Sequence, residues 1–289
     1  MISRIVTHPG GAHKDEFLAV CVLIAKSSAP VFRREPTADD LERTDVAVVD
    51  VGGEHEPLRL NFDHHHFPRE HPPTCSISLV LQHYGLYDDA LLFCPWLAPA
   101  EWFDSRGPNR TAEWLGVPRD VVPKMNSPID ITMIRRFAAS TQLEPGQPLY
   151  EVMRFIGDDL ISYLQNIRSQ INFVRRHVTL WSLPAPGGPI MTAYLPRTEP
   201  ELEEPSGALA AYIRAEGLSA TVAALVYPDR RGGGFGLGRY EDHACLDFSR
   251  VQDEPDVHFA HKTGFICKTS ATDSGRLAAL VQQAWKTPA

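Results

Sequence analysis

The chain has 289 residues, 43% of them hydrophobic and 22% charged, which is enough to bury a core and excludes a disordered chain. At this length two domains are more natural than one. A net charge of -8 and a sequence pI of about 5.8 exclude a broad basic nucleic-acid footprint and leave room only for a local basic groove.

Residues 3–7 contain the Ile-Val pair of a short strand. Residues 15–26, DEFLAVCVLIAK, predict an apolar helix with Asp and Glu in its first turn. Residues 30–34 predict a second strand, and residues 37–42 a short helix capped by Thr37. Residues 45–50, DVAVVD, form a β-branched buried strand that Gly52-Gly53 ends. Residues 58–62 alternate into a fourth strand, which runs straight into Asp63-His64-His65. This β-α-β-α-β order implies α/β architecture, a parallel sheet with helices on both faces.

A helix follows at 76–84, then a helical stretch at 88–104 broken near Pro95 and Pro99, and short helices at 119–125 and 131–140. Residues 149–177 sustain helical spacing, with Val152, Ile156, Leu160, Leu164, Ile167, Ile171 and Val174 on related faces. Beyond PAPGGP at 184–189 the pattern changes. Strands are expected at 189–195 and 220–227, a helix at 207–216, and a terminal helix at 274–285. The segment GGGFGLGR at 232–239 reads as a glycine-rich loop or hairpin, and 197–206 as an exposed Pro/Glu-rich loop. The expected organisation is a first domain at 1–148, a connecting helix at 149–180, and a smaller α+β domain at 181–289.

No apolar run is long enough to span a bilayer, and residues 1–6, interrupted by Thr7-His8-Pro9, are too short for a secretory signal. The five cysteines (Cys21, Cys75, Cys94, Cys245 and Cys267) are odd in number, scattered and without a CxxC pair. Free thiols in a reducing cytoplasm are the expectation.

Eight of the twelve histidines lie in the first 83 residues. Four short pieces there carry metal-ligand chemistry: His8-x4-His13-x-Asp15 after the first strand, Asp50 ending the third, Asp63-His64-His65 after the fourth, and Asp104 in the helical stretch. In an open parallel sheet, ligands sit outside the carboxyl ends of the strands, where three of these pieces fall. A carboxylate can bridge two divalent ions, and imidazole adds preference for transition metals over Mg and Ca. Two such ions about 3.5–4 Å apart can clamp a phosphoryl group and generate hydroxide near neutral pH. His55, His66, His71 and His83 read as solvated or structural.

The pieces THPGGAHKDE, VVDVGGE and FDHHHF resemble the DHH phosphoesterase superfamily and, more narrowly, the melanocyte-proliferating-gene exonuclease family. The tail FAHKTGFICKTS resembles that family's closing segment, while the middle of the chain, about 110–220, gives no match. The resemblance implies a DHH-like catalytic domain holding two divalent metal ions, with Mn the usual metal, bridged by Asp50. It implies His8 and His13 on the first ion, and Asp15, His64 and Asp104 on the second. Asp63 would orient a ligand from behind, and His65 would face substrate and donate to a phosphate oxygen or the leaving group. The catalytic set is then His65, Asp50 and Asp63, and the substrate class is RNA or short oligonucleotides, cleaved by hydroxide attack. Two departures stand out: the family's fourth motif, D-A-(V/I)-DNG, is here Asp104-Ser-Arg-Gly-Pro, and the GGH common near the superfamily's C-terminus is replaced by Cys267-Lys268-Thr269-Ser270.

In the second domain, Arg239 ends the glycine-rich segment, and His261, Lys262 and Lys268 fall near the start of the last helix. With His65 these are the expected substrate contacts, since glycine turns and helix amides let an anion approach. A homodimer is compatible with the sequence, and no membrane partner is expected. Two other readings stay open: a two-metal hydrolase of a small phosphate compound or cyclic dinucleotide, and a non-catalytic metal-binding nucleotide sensor.

Overall fold

A computed structural model describes residues 1–286, apart from the side chain of Met125. The last three residues of the predicted 181–289 domain lie outside the described residues. The chain divides into two compact units, Met1–Gln165 and Asn166–Ala289.

In the first unit, the β-branched runs become strands β1 (Arg4–Thr7), β2 (Val31–Arg33) and β3 (Val46–Val49). β1 pairs in parallel with both of the others, Ile5 facing Ala47 and Val31. Alternate residues serve opposite faces. Ile5, Ala47 and Val49 join the main core with helix α1 (Lys14–Ser27), while Val6, Val46 and Val48 pack with Leu41 of α2 (Ala38–Glu42). A strand covered on both faces reads as a continuous apolar run, which is why VAVV shows no alternation. Short edges complete the sheet: β4 (His55–Glu56), β5 (Asn61–Phe62) and β6 (Gln142–Leu143), in the order β4-β5-β3-β1-β2-β6. β5 continues the parallel set, and β4 and β6 are antiparallel.

The fourth strand is shorter than expected. Pro57, which has no N–H, starts a 3-10 turn over Pro57–Arg59, and Leu60 adopts a left-handed φ of 63°, so pairing begins only at Asn61. Helices α3 (Ser76–His83) and α4 (Tyr87–Phe93) follow. α5 (Leu97–Leu115) accepts Pro99 in its first turn, where the lost N–H costs nothing, and kinks instead at Gly107-Pro108. The helix therefore runs past the expected stop at 104. After α6 (Pro128–Ala138), the long helix α7 (Pro148–His177) carries the division between the units.

The expected apolar stripe of α7 holds at Ile156, Leu160, Leu164, Ile167, Ile171 and Val174, which are buried or half-buried, and fails at its start: Val152 is exposed, whereas Tyr150, Met153, Gly157 and Ile161 are buried. Gly157 explains the choice, because a Cβ there would sit 2.0 Å from the carbonyl oxygen of Cys21 in α1. The two helix backbones touch, and only glycine allows it.

The second unit is a smaller α+β fold. Strands β7 (Thr179–Leu183), β8 (Ile190–Tyr194), β9 (Val222–Pro228), β10 (Phe235–Arg239), β11 (Val257–Ala260) and β12 (Ile266–Thr269) form a sheet in the order β11-β12-β10-β9-β8-β7. β8 and β9 alone are parallel, joined through α8 (Pro205–Ala215). Ile190, Val226, Leu237 and Cys267 pack with Leu277 and Leu280 of α9 (Ser274–Gln283). The glycine-rich segment is a β9–β10 hairpin. Gly236 faces Tyr227, whose ring would lie 2.7 Å from a Cβ at that position. That glycine makes room for a tyrosine rather than for a ligand. Among the described residues, no helix is long and apolar enough to cross a membrane.

Candidate metal centre

The carboxyl ends of β1, β3 and β5 bring most of the predicted residues to one place. His8 follows β1, His13 and Asp15 open α1, Asp50 ends β3, and Asp63, His64 and His65 follow β5. Asp104 joins them from α5. Asp50 has a φ of 60°, a left-handed conformation that non-glycine residues adopt at a cost of about 1–3 kcal/mol. Its backbone N–H donates to Phe62 O at 3.1 Å, and its Oδ1 accepts from Ser76 Oγ at 2.5 Å. The neighbouring strand and the start of α3 hold this side chain over the sheet edge.

Around Asp50 the groups converge. His8 Nε2 lies 3.5 Å from Asp50 Oδ2, and His64 Nε2 lies 3.2 Å from Asp50 Oδ1. His64 Nε2 is also 2.8 Å from Asp104 Oδ2, and His13 Nδ1 is 3.5 Å from Asp104 Oδ1. The potential ligand atoms form three overlapping groups, each within 4.8 Å: His8, His13 and Asp50; Asp15, Asp50, His64 and Asp104; and Asp50, His64 and His65. Asp50 belongs to all three.

The donor set fits divalent cations. Asp15 Oδ1, His64 Nε2 and Asp104 Oδ2 are buried, and none makes a hydrogen bond of good geometry, although the last two lie close together. Buried polar atoms are rarely left so. The charges tell the same story. Burial, then repulsion from Asp50 and Asp104, pushes the Asp15 carboxyl up to about 7. Hydrogen bonds to Asp50 and Glu16 raise His8 to about 10. Burial pulls His64 down, but Asp104 and Asp50 outweigh it and raise the ring to about 10. Protons thus stand where a cation would satisfy the same carboxylates. His8 Nδ1 is 2.9 Å from Pro9 O, a contact that fixes the ring with Nε2 turned to the cluster.

Asp63 and His65 form a separate pair. Asp63 Oδ1 accepts from His65 N at 3.0 Å and from His65 Nδ1 at 2.6 Å, while its Oδ2 accepts from Gly53 N at 2.6 Å. Burial opposes ionisation of Asp63, yet these donors hold its pKa at about 2 and raise that of His65. With Nδ1 engaged, Nε2 is the free ring nitrogen of an imidazole whose side chain is 60% exposed. His65 lines a pocket of about 150 Å³ together with His64, Phe67, His71, Thr74, Asp104 and Arg106.

Sequence reasoning missed two supports. Glu16 is fully buried and lies 2.7 Å from His8 Nε2, while its other oxygen accepts from Thr7 Oγ1 at 3.0 Å and Arg33 Nη2 at 3.1 Å. Ser76 touches two predicted ligands, Asp50 through its hydroxyl and Asp15 Oδ2 through its backbone N–H at 3.2 Å. The available signals were weak: an acid beside Asp15 in a first turn, and a serine opening a helix.

The four basic residues expected to grip substrate lie in the second unit. Arg239 Nε donates to Asp242 Oδ1 at 3.0 Å, and Lys268 Nζ donates to Asp229 Oδ1 at 2.8 Å. His261 Nδ1 is 2.9 Å from Thr263 Oγ1. His261 and exposed Lys262 occupy the β11–β12 turn, with Lys268 in β12. Their expected place at the start of α9 is therefore corrected. That helix end is capped by Asp273, whose carboxylate accepts from Arg276 N at 2.9 Å, so its amides offer no ready anion site.

With this geometry in view, comparison with known proteins places the motifs. Residues 4–87 match the model MYG1_exonuc, described as an uncharacterised protein family (UPF0160). The matched segment contains all three of the motif pieces that carry the sequence resemblance, while Asp104 and the tail resemblance fall outside it. No curated protein gives a significant match. Similar solved structures include one titled as a member of the s1p family of ribosomal proteins, DHH domain. It shares 15% identity at a TM-score of 0.35 and covers 100% of this chain and 88% of its own. RecJ from Thermus thermophilus, solved in complex with Mn2+, shares 14% at 0.28, covering 97% of this chain and 51% of that one. This chain thus spans about half the length of RecJ. An exopolyphosphatase-related protein from Bacteroides fragilis shares 13% at 0.23, covering 97% and 90%.

Proposed function

We propose that the chain is a metal-dependent phosphoester hydrolase acting on RNA or short oligonucleotides, with two divalent ions, Mn in the first instance, bridged by Asp50. One observation carries the reading: carboxylates and imidazoles from three strand ends and two helices converge on Asp50, leaving buried ligand atoms without hydrogen bonds. His8 and His13 would hold one ion, and Asp15, His64 and Asp104 the other. Divalent ions in such a site polarise a phosphoryl group and lower the pKa of water.

The chain's own groups supply the rest. Ser76 and the β5 backbone fix the Asp50 carboxylate in its left-handed pose, so it is preorganised. Asp63 locks the ring of His65 and favours its protonated form, which leaves a proton on Nε2 to give to a departing oxygen. The match of residues 4–87 to an exonuclease-named family supports nucleic acid as the substrate class. The five free cysteines, four of them buried, support a reducing, cytoplasmic setting. The test is hydrolysis of a generic phosphodiester and of an end-labelled RNA with added Mn, with chelator and Asp50→Asn controls. Turnover of neither substrate would overturn the reading.

A further inference from the structure

The pocket beside His65 holds a cation that no carboxylate among the described residues pairs with. Arg106 is half-buried at the end of the first segment of α5, just before Gly107, whose φ of 74° breaks the helix. Its Nη2 donates to the backbone carbonyl of His71, and among the described residues no carboxylate forms an ion pair with it. The pocket's own carboxylate, Asp104, faces His13 at 3.5 Å and His64 at 2.8 Å rather than Arg106. A guanidinium carries five donors in a planar fork suited to phosphate, and leaving most of them unused in a half-buried place is unfavourable. The volume of about 150 Å³ has room for about five waters. That suits a phosphate group and is below the ~300–1,000 Å³ of pockets that enclose whole small ligands.

We propose that Arg106, with His71 and Thr74 beside it, binds a second phosphate of the substrate, one that is not being cleaved. The pocket shares His64, His65 and Asp104 with the candidate centre, so a phosphate there lies next to the scissile one. Arg106 is thus a specificity residue, selecting substrates with two neighbouring phosphates, such as an oligonucleotide with a terminal phosphate. This rests on the hydrolase reading, and the experiment separates the two.

Three ribodinucleotides are compared: one with a 5′-phosphate, one with a 3′-phosphate and one with neither. Equilibrium binding is measured by calorimetry in chelator, and kcat/KM with Mn. The wild type should favour one phosphorylated form by about tenfold or more, the value of a charge-assisted hydrogen bond. Arg106→Lys should keep most of that ratio. Arg106→Gln, which can still donate to the His71 carbonyl, should bring it close to one. Wild-type ratios near one in both binding and turnover would overturn the proposal whatever the variants do, as would an unchanged ratio in Arg106→Gln. If no dinucleotide is hydrolysed, the hydrolase reading fails for these substrates, and the binding ratios still decide the role of Arg106.

Discussion

The two units differ in how their polar side chains are matched. In the second, Arg239 meets Asp242, Lys268 meets Asp229, and Arg276 meets Asp256 and Glu254, mostly at or near the surface. The one buried side-chain atom left unsatisfied among its described residues is a threonine hydroxyl, at Thr192. In the first, atoms of Asp15, His64 and Asp104 crowd the strand ends without hydrogen bonds, and Asp50 is held in a left-handed backbone. A mainly antiparallel sheet, with the β8–β9 pair its one parallel pairing, can settle its charges locally. A parallel sheet gathers its strand ends at one edge, and here that edge carries more ligand atoms than internal donors. Such an edge suits a cation from outside, and the difference supports the proposed place of the metal site in the first unit.

The sharpest way to break this contrast is at Asp50. Asn is nearly isosteric and tolerates the left-handed backbone, so Asp50→Asn should keep the fold while turnover drops by more than the ~10–100-fold typical of outer-sphere losses. Steady-state kinetics with saturating Mn, alongside circular dichroism, checks this. Near-normal turnover would end the bridging role.

Glu16 comes next. Arg33 and Glu16 lie 3.1 Å apart with side chains 1% and 0% exposed, so Glu16→Gln leaves a buried guanidinium without its counter-charge. Four carbonyls, those of Gly10, Gly11, Phe137 and Ala138, still hold Arg33. The expected loss is therefore about 3 kcal/mol, the lower end for a broken buried pair. A shift of the urea midpoint measures it. Gly157→Ala should cost about 1–3 kcal/mol by forcing α7 away from α1, read in the same titration; an unchanged midpoint would mean that the helices separate freely.

A pH test follows. Asp40 accepts hydrogen bonds from Arg34, Thr37 and Arg4, which hold its pKa below the usual carboxylate range although burial opposes them. Its folded value is below its unfolded one, so its contribution is present above about pH 4 and is lost as pH falls through the depressed folded value. Asp40→Asn should lower stability at neutral pH and remove that part of the acid slope. Parallel slopes for both proteins would contradict it. The smallest effect is expected at Arg239. Its partner Asp242 is 82% exposed, so Arg239→Ala should change stability by no more than about 1 kcal/mol. If Arg239 grips substrate, the variant raises KM for an oligonucleotide more than it lowers kcat; unchanged kinetics would make it a surface ion pair alone.

Much of the first unit was legible. The β-branched runs, the Thr37 cap and the order of strands and helices are local signals, and the strand-end rule places His8, Asp50 and His64 together. What the sequence hid is non-local. Val152 and Met153 have equal claims to the α7 stripe until Gly157 meets Cys21. Glu16 looks like any first-turn acid until Arg33 and His8 reach it. Ser76 opens an ordinary helix, yet it touches two predicted ligands, Asp50 and Asp15, from 26 and 61 residues away. In the second unit, the segment 232–239 reads as either a hairpin or an anion-approach loop, because nothing local announces that Tyr227 will lie across Gly236. The β7 and β11 strands were missed because neither carries a fully buried residue, and β12 because its two buried positions are Cys267 and Thr269 rather than a β-branched apolar run.

The central claim is that the first unit's strand-end charges are completed by cations shared through Asp50. Isothermal titration of the metal-free protein with Mn tests it most directly, comparing wild type with Asp50→Asn. The account predicts two ions per wild-type chain and loss of tight binding of both in the variant. No binding to the wild type, or the same stoichiometry and affinity in the variant, would contradict it.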